Sequence, residues 1–275
     1  MSAAAGLGRH RGALIGLLIL AALAAMAVGA PWLSARDPIR TAPREALQAP
    51  GARFVLGSDQ FGRDVASRVL HGARVSLLVG VISVSIAVGL GAPIGLVSGY
   101  YGGRLDALIM RVMDVMLAFP GILLALAIVS VLSPGLGNVM IAVGLSAVPG
   151  YARLVRATVL SAREHLYVEA ARALGGRDGG ILVRDILPNV VAPLIVTATL
   201  GLGGAILSAA ALSFLGLGSQ PPQPEWGRML SEGRDYLREA WWISTFPGLG
   251  ILLTVLAMNL VGDGLRDVLD PRLKT

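Results

Sequence analysis

The chain has 275 residues, 55% hydrophobic and only 15% charged, with a mean hydropathy of +0.71, whereas soluble domains carry about 25% charged residues, so lipid is the indicated solvent. The net charge is +6, but the arginines are scattered between apolar runs and not gathered with aromatics on one polar face, which argues against a nucleic-acid binder. The absence of cysteine excludes a disulfide framework and any thiolate metal site.

A bilayer-crossing helix needs roughly 20 mostly apolar residues. The first such run, Ala13 to Leu33, follows a short basic start with Arg9, His10 and Arg11. It is longer than the apolar part of a secretory signal and is read as an uncleaved span. Residues 34–73 are polar, one loop or a loop with an amphipathic helix. Further spans are expected at Val75–Tyr100, Ala107–Leu132, Asn138–Leu154, Val191–Leu217 and Ile243–Val261, six in all. Gly91, Gly95 and Gly99 form a small-xxx-small row in the second span that lets another helix approach closely. Pro120 in the third is expected to kink it or to open a backbone carbonyl towards a cavity. Trp241 and Trp242, at the edge of the last span, have the placement of interfacial aromatics.

Placing the N-terminus in the cytoplasm puts 13 of the 23 basic residues inside, among them Arg9, Arg272 and Lys274, and seven of the other ten between Arg36 and Arg74. Counted near span ends, where the rule applies best, "YARLVRATVLSAR" favours a cytoplasmic central loop, with both termini on the same side.

No engine of its own is visible in the chain. A phosphate-binding loop needs a lysine before Ser or Thr, and the single lysine is Lys274. His10, His71 and His165 are far apart, and no metal-ligand spacing occurs. Arg111 and Asp114, three apart on one helical face, can pair locally. Asn259 and Asp263 lie towards the inner end of the last span. Coupled carriers need acidic groups near the midplane, and none is evident. That weighs against a self-contained secondary carrier or channel. A membrane-anchored enzyme housed in residues 34–73 lacks a nucleophile–base pair.

The centre of the chain, "YVEAARALGGRDGGILVRDILPNV" (Tyr167–Val190), is charged between two apolar spans. Leu166, Tyr167, Ala170, Ala171 and Leu174 share a helical face, flat at the two alanines, while Glu169 and Arg172 point elsewhere. Gly175 and Gly176 end or bend the helix. Asp178 is positioned to cap a second one, and Leu187–Pro188 re-enters the bilayer with Pro188 at a helix start. These residues alone fit either a knob for a protein partner or an amphipathic helix lying on lipid.

"EAARALG" (Glu169–Gly175) with Leu187–Pro188 twelve residues after Gly175 resembles the EAA loop of ABC importer permeases. "LGSDQFGRDVASRVLHGARVSL" (Leu56–Leu77), "ALSFLGLGSQPPQPEWGRML" (Ala211–Leu230) and "NLVGDGLRDVLDPRL" (Asn259–Leu273) are similar to the second permease type of the dipeptide, oligopeptide and nickel group. The resemblance implies an all-α polytopic membrane protein of six transmembrane helices with the type I importer fold. Residues 1–72 would form an N-terminal span and an extracytoplasmic connection, and residues 73–275 a five-span core with its coupling loop at 153–190. It further implies a homologous second permease, two ATPases that bind ATP and Mg in place of any cofactor in this chain, an extracytoplasmic substrate-binding protein, and no catalysis here. The coupling contacts would be Tyr167, Glu169, Ala170, Ala171, Arg172, Leu174, Gly175, Leu187 and Pro188. The pathway and its packing would involve Arg111, Asp114, Pro120 and Asn259 with the three glycines. Two departures stand out: "GGRDGG" (Gly175–Gly180) is richer in glycine than the family's usual turn, which implies a short or mobile second helix, and Asp185 stands where a basic or apolar residue is commoner.

Overall fold

A computed structural model describes residues 10–269. Arg9, Arg272, Lys274 and the last residues of the 259–273 segment lie outside them. Among the described residues every regular element is helical. Helix α1 (Arg11–Leu33) is followed by an extended segment, folded on itself through backbone bonds such as Ala42 N–H to Phe61 O at 2.9 Å and Ser58 N–H to Gln48 O at 2.9 Å. Helix α2 (Val65–Tyr101) begins ten residues before the expected span, because the Asp64 carboxylate accepts the Ser67 N–H at 2.8 Å and caps it there. The added turns stand in a cap built from residues 34–64 and 215–241. Such a capped N-terminus satisfies donors that an apolar run would leave open.

The third apolar run is not one kinked helix. It divides into α3 (Gly103–Leu117) and α4 (Gly121–Leu132), set at 91° to each other. Pro120 stands at the junction as the residue preceding α4, where its missing N–H costs nothing. Five unbroken helices and this broken pair are long and apolar enough to cross a membrane, matching the count of six. Helix α5 (Leu136–Ala162) leads to α6 (Leu166–Ala173), and then to α7 (Asp178–Phe214), α8 (Trp226–Gly233) and α9 (Trp242–Leu269). His10 and Asp267 lie 3.6 Å apart, so both ends of the described chain share with α6 the end of the bundle opposite the cap.

The bundle is held by backbones that approach where side chains are missing. A Cβ on Gly91 would stand 2.9 Å from the Val148 carbonyl oxygen, one on Gly95 2.4 Å from that of Ala152, and one on Gly99 2.8 Å from Val159 Cβ. The glycine row of α2 is therefore a groove that receives α5, as its spacing implies. In the cap, Trp226 is fully buried, its indole N–H donating to Val69 O at 3.0 Å and its ring lying against Gly72 and Gly250. It fills the space between α2 and α9 like a plug. Trp242 is not an interfacial anchor: it is buried over Gly57 and donates to Ser58 O at 3.0 Å, and only Trp241 stays half exposed. A buried ionic cluster joins the connecting segment to α8. The Glu232 carboxylate accepts from Arg63 at 2.7 Å and Arg68 at 3.1 Å, while Asp59 pairs with Arg63 from the other side.

Glu225 caps α8, accepting from Gly227 N–H at 2.8 Å and Arg228 N–H at 2.9 Å. Burial pushes its carboxyl above the ordinary glutamate range, with those backbone bonds opposing the shift. A raised carboxylate pKa means that the native state holds its proton to higher pH than the unfolded one. Stability therefore falls as pH rises from about 4.5 towards the raised value. Melting of the detergent-solubilised protein across that range should show this slope, and Glu225→Gln should abolish it. Trp226→Ala should cost about 3–5 kcal/mol in the same melts, through the cavity it leaves between α2 and α9.

Candidate functional site

The central loop forms a short helix that stands out from the end of the bundle. Helix α6 starts after His165, whose extended backbone (φ −77°, ψ 142°) turns the chain out of α5. One side chain anchors it: Val168 is fully buried among Val155, Val159, Ile181, Ile186 and Val190. Polar straps hold its flanks. The Asn189 amide of α7 donates to the Tyr167 hydroxyl at 2.9 Å, and the His165 ring stacks on Tyr167 at 5.5 Å. Tyr100, at the end of α2, donates to the Asp178 carboxylate at 2.7 Å and lies under the Arg172 guanidinium at 5.3 Å.

These contacts refine three expectations. Asp178 does not cap a helix by its side chain, since Arg177 occupies the cap position without a side-chain bond; its carboxylate ties α7 to α2. Arg172 turns back onto Tyr100 and away from the outward face. The second helix is not a short separate piece: it runs on as α7 through a π-turn at Leu182–Ile186. Pro188 explains the turn, because its ring would clash with the Arg184 carbonyl four residues back and a wider turn relieves the clash. Asn189 then donates its amide to Asp185 O at 2.9 Å. Pro188 thus stands in the first turn of the α-helical shaft that begins at Leu187, as its position implied, while the π-turn joins that shaft to Asp178–Ile181 as one rod.

Gly175 closes α6 with φ +78°, and the bonds Gly175 N–H to Arg172 O and Gly176 N–H to Ala171 O form the paired closure typical of a left-handed helix stop. The outward face is apolar yet open: Leu166 is 81% and Leu174 88% exposed, with Tyr167 at 44%. Ala170 and Glu169 are exposed beside them, Ala171 and Leu187 are half-buried, and Pro188 is exposed. Two leucines left bare on a rigid, strapped helix mark a contact surface.

The other residues singled out do not join this surface. Asp114 pairs with Arg153 of α5, 39 residues on, and not with Arg111; Arg111 points outward from α3. Asn259 and Asp263 lie exposed on α9. Among the described residues no group of three or more His, Cys, Asp or Glu could hold a metal. Val168, Tyr100 and Asn189 were not singled out by sequence reasoning. Val168 had a local signal as the one β-branched residue on the inner side of an otherwise open helix, whereas Tyr100 and Asn189 act across 78 and 22 residues.

Comparison with known proteins decides what this geometry belongs to. Residues 91–275 match the family described as binding-protein-dependent transport system inner membrane component, and residues 3–50 match the N-terminal TM domain of oligopeptide transport permease C. The chain belongs to this permease family. A dipeptide transport system permease protein of Alkalihalophilus pseudofirmus is 49% identical over 98% of this chain and 88% of its own. A di/tripeptide transport system permease of Pseudomonas aeruginosa is 50% identical over 96% and 89%, and a glutathione transport system permease of Pectobacterium atrosepticum 46% over 98% and 89%. The permease also shares its fold with an inward-facing MetNI methionine ABC transporter chain, at a TM-score of 0.59 and 21% identity, over 73% of this chain and 95% of that one. It is an all-helical membrane permease with the type I importer fold.

Because Val168 is the one fully buried side chain of α6, with only Ala171 packed beside it on the apolar base, Val168→Asp places an unpaired charge there. Limited proteolysis should then nick residues 163–177 more than about tenfold faster, since cleavage follows the population of the open form, while the protein remains in the membrane.

Proposed function

We propose that this permease is one half of the membrane core of an ATP-driven importer of short peptides or related small solutes. A homologous permease supplies the other half. Two cytoplasmic ATPases bind ATP and Mg, and an extracytoplasmic binding protein delivers the solute. The chain breaks no bond. Its task is to convert closure of the ATPases into a change of access across the membrane. The observation that carries this reading is α6: a rigid, outward, partly apolar helix at the end of the bundle, anchored by Val168 and closed at Gly175. Its open face at Leu166, Tyr167, Ala170 and Leu174, with Glu169 at the rim, is the ATPase contact, and Gly175 shapes its end. Arg172 serves from behind by bracing the helix on Tyr100.

The arginine-rich end of α5, with Arg153, Arg156 and Arg163, and the basic residues Arg172, Arg177 and Arg184 favour a cytoplasmic position for that end. The described chain ends lie there too. Peptide substrates are indicated by the relatives, whose names span dipeptides, di- and tripeptides and glutathione. Gly175→Asp tests the reading. At φ +78° an aspartate is strained, and it adds a charge beside the contact face. Membrane insertion should be retained, while ATP-driven uptake by the assembled transporter should fall by about tenfold or more, the equivalent of about 1.4 kcal/mol in coupling. Undiminished uptake by this variant would sink the docking role of α6.

A further inference from the structure

Asp114 of α3 and Arg153 of α5 form an ion pair whose side chains remain 50% and 52% exposed, although both helices belong to the membrane-spanning bundle. At about 1.5 Å per residue, Asp114 sits roughly 16 Å along α3 from Gly103. Arg111, three residues earlier, is exposed as well, and among the described residues no acidic group pairs with it. Two guanidinium groups thus stand with one carboxylate, and the set is net positive. Leu105, Leu108, Val112 and Val115 form an open apolar stripe on the same helix, suited to lipid; Arg111, three residues from Leu108 and four from Val115, borders that stripe, and Asp114 lies beyond it.

Ionisable groups in a span face water or the bundle interior, not hydrocarbon. The surface around the pair has the same character. On α5 the open stripe consists of Ala147, Gly150, Arg153, Ala157 and Ser161. A Cβ on Gly150 would meet nothing within 4 Å. At Ala147 the stripe joins a cavity of about 280 Å³ lined in part by Ser83, Ser146, Tyr151, Gly201 and Ser208. A subunit surface without an acidic group, packed dry against this face, would bury an arginine without a counter-charge, which is strongly unfavourable. Water leaves both guanidinium groups solvated.

We infer that Arg111, Asp114 and Arg153 form a net-positive, water-exposed rung in the solute pathway, fitted to solutes that carry a carboxylate. The inference rests on the importer reading above and adds a charge preference to it. A carboxylate entering from the cavity meets Arg111 and the outer side of Arg153, while Asp114 keeps Arg153 oriented.

The natural absence of cysteine makes the test direct. Gly150→Cys, with Ala157→Cys as a second reporter on the same stripe and Leu105→Cys as the apolar control, is introduced into the complete transporter in proteoliposomes. Each is treated with membrane-impermeant thiol reagents, one bearing a sulfonate and one a quaternary ammonium. The two stripe reporters should react and Leu105→Cys should not. The sulfonate reagent should react faster by about tenfold, the scale of local electrostatic enrichment. Arg111→Gln should bring the two rates close together, and trapping the ATPases with vanadate should change the rate at the stripe reporters. Unreactive stripe reporters in every nucleotide state, with uptake intact, would overturn the inference, because the face would then be covered by lipid or protein. So would reaction with no charge preference, or a preference untouched by Arg111→Gln. ATP-driven uptake by the unmodified transporter is measured in parallel, and its absence would count against the importer reading itself.

Discussion

Everything in this fold is placed relative to one close contact, the groove of glycines on α2 that receives α5. In lipid no hydrophobic drive pulls helices together, so dispersion at short range has to hold them, and only small residues permit that range. Gly91, Gly95 and Gly99 take backbone and side-chain atoms of α5 between Val148 and Val159 at distances that leave no room for a methyl group. With α5 seated there, Arg156 is within reach of Asp106 on α3 at 2.6 Å and Arg163 donates to Gly99 O at 3.1 Å. The lower ends of α2, α3 and α5 are thereby locked in register. The base on which α6 rests is made of these same residues, so the exposed helix inherits its rigidity from a contact deep in the membrane.

The polar groups sort into three environments with different physical demands. In the cap, Asp59, Arg63, Arg68 and Glu232 are buried almost completely and satisfy one another. Removing any one would strand its partners, which is why such clusters fix geometry more than they add stability. Around α6, polar groups act singly as straps: Asp178 on Tyr100, Arg172 on the same ring, Asn189 on Tyr167. On the faces of α3 and α5 that carry Arg111, Asp114 and Arg153 the charges are left open.

Sequence patterning foresaw the parts governed by local rules. The apolar runs are the spans, because a run of some twenty residues has no other stable use in lipid. The Gly175 stop was visible because few other residues accept that backbone angle, and the glycine row was visible by its period. What escaped depends on distant partners or on degree. Pro120 announced a bend, but whether it becomes a slight kink or a 91° break is decided by how α3 and α4 each lie on α5. Asp114 had a plausible neighbour in Arg111 on its own helix, yet Arg153 lies closer once α5 is in its groove. Trp242 had the sequence position of an interfacial anchor and instead covers Gly57, a pairing 185 residues apart that no local pattern reveals. The π-turn before Pro188 was hidden for a related reason: proline marks a disturbance in a helix, not whether the helix ends or widens.

The continuity of α7 has a mechanical corollary. From Asp178 to Phe214 it is one rod of 37 residues, about 55 Å at 1.5 Å per residue, longer than a bilayer is thick. Its lower end is fastened to the base of α6 through Val190 and Asn189, and its upper end lies against the cap, where the Gly227 backbone sits on Ala210. A stiff bar held at both ends does not absorb a push at one of them. It carries that push along its length to the cap. The widened turn at Leu182–Ile186 lies at the foot of that bar, where Ile186 is buried in the base of α6.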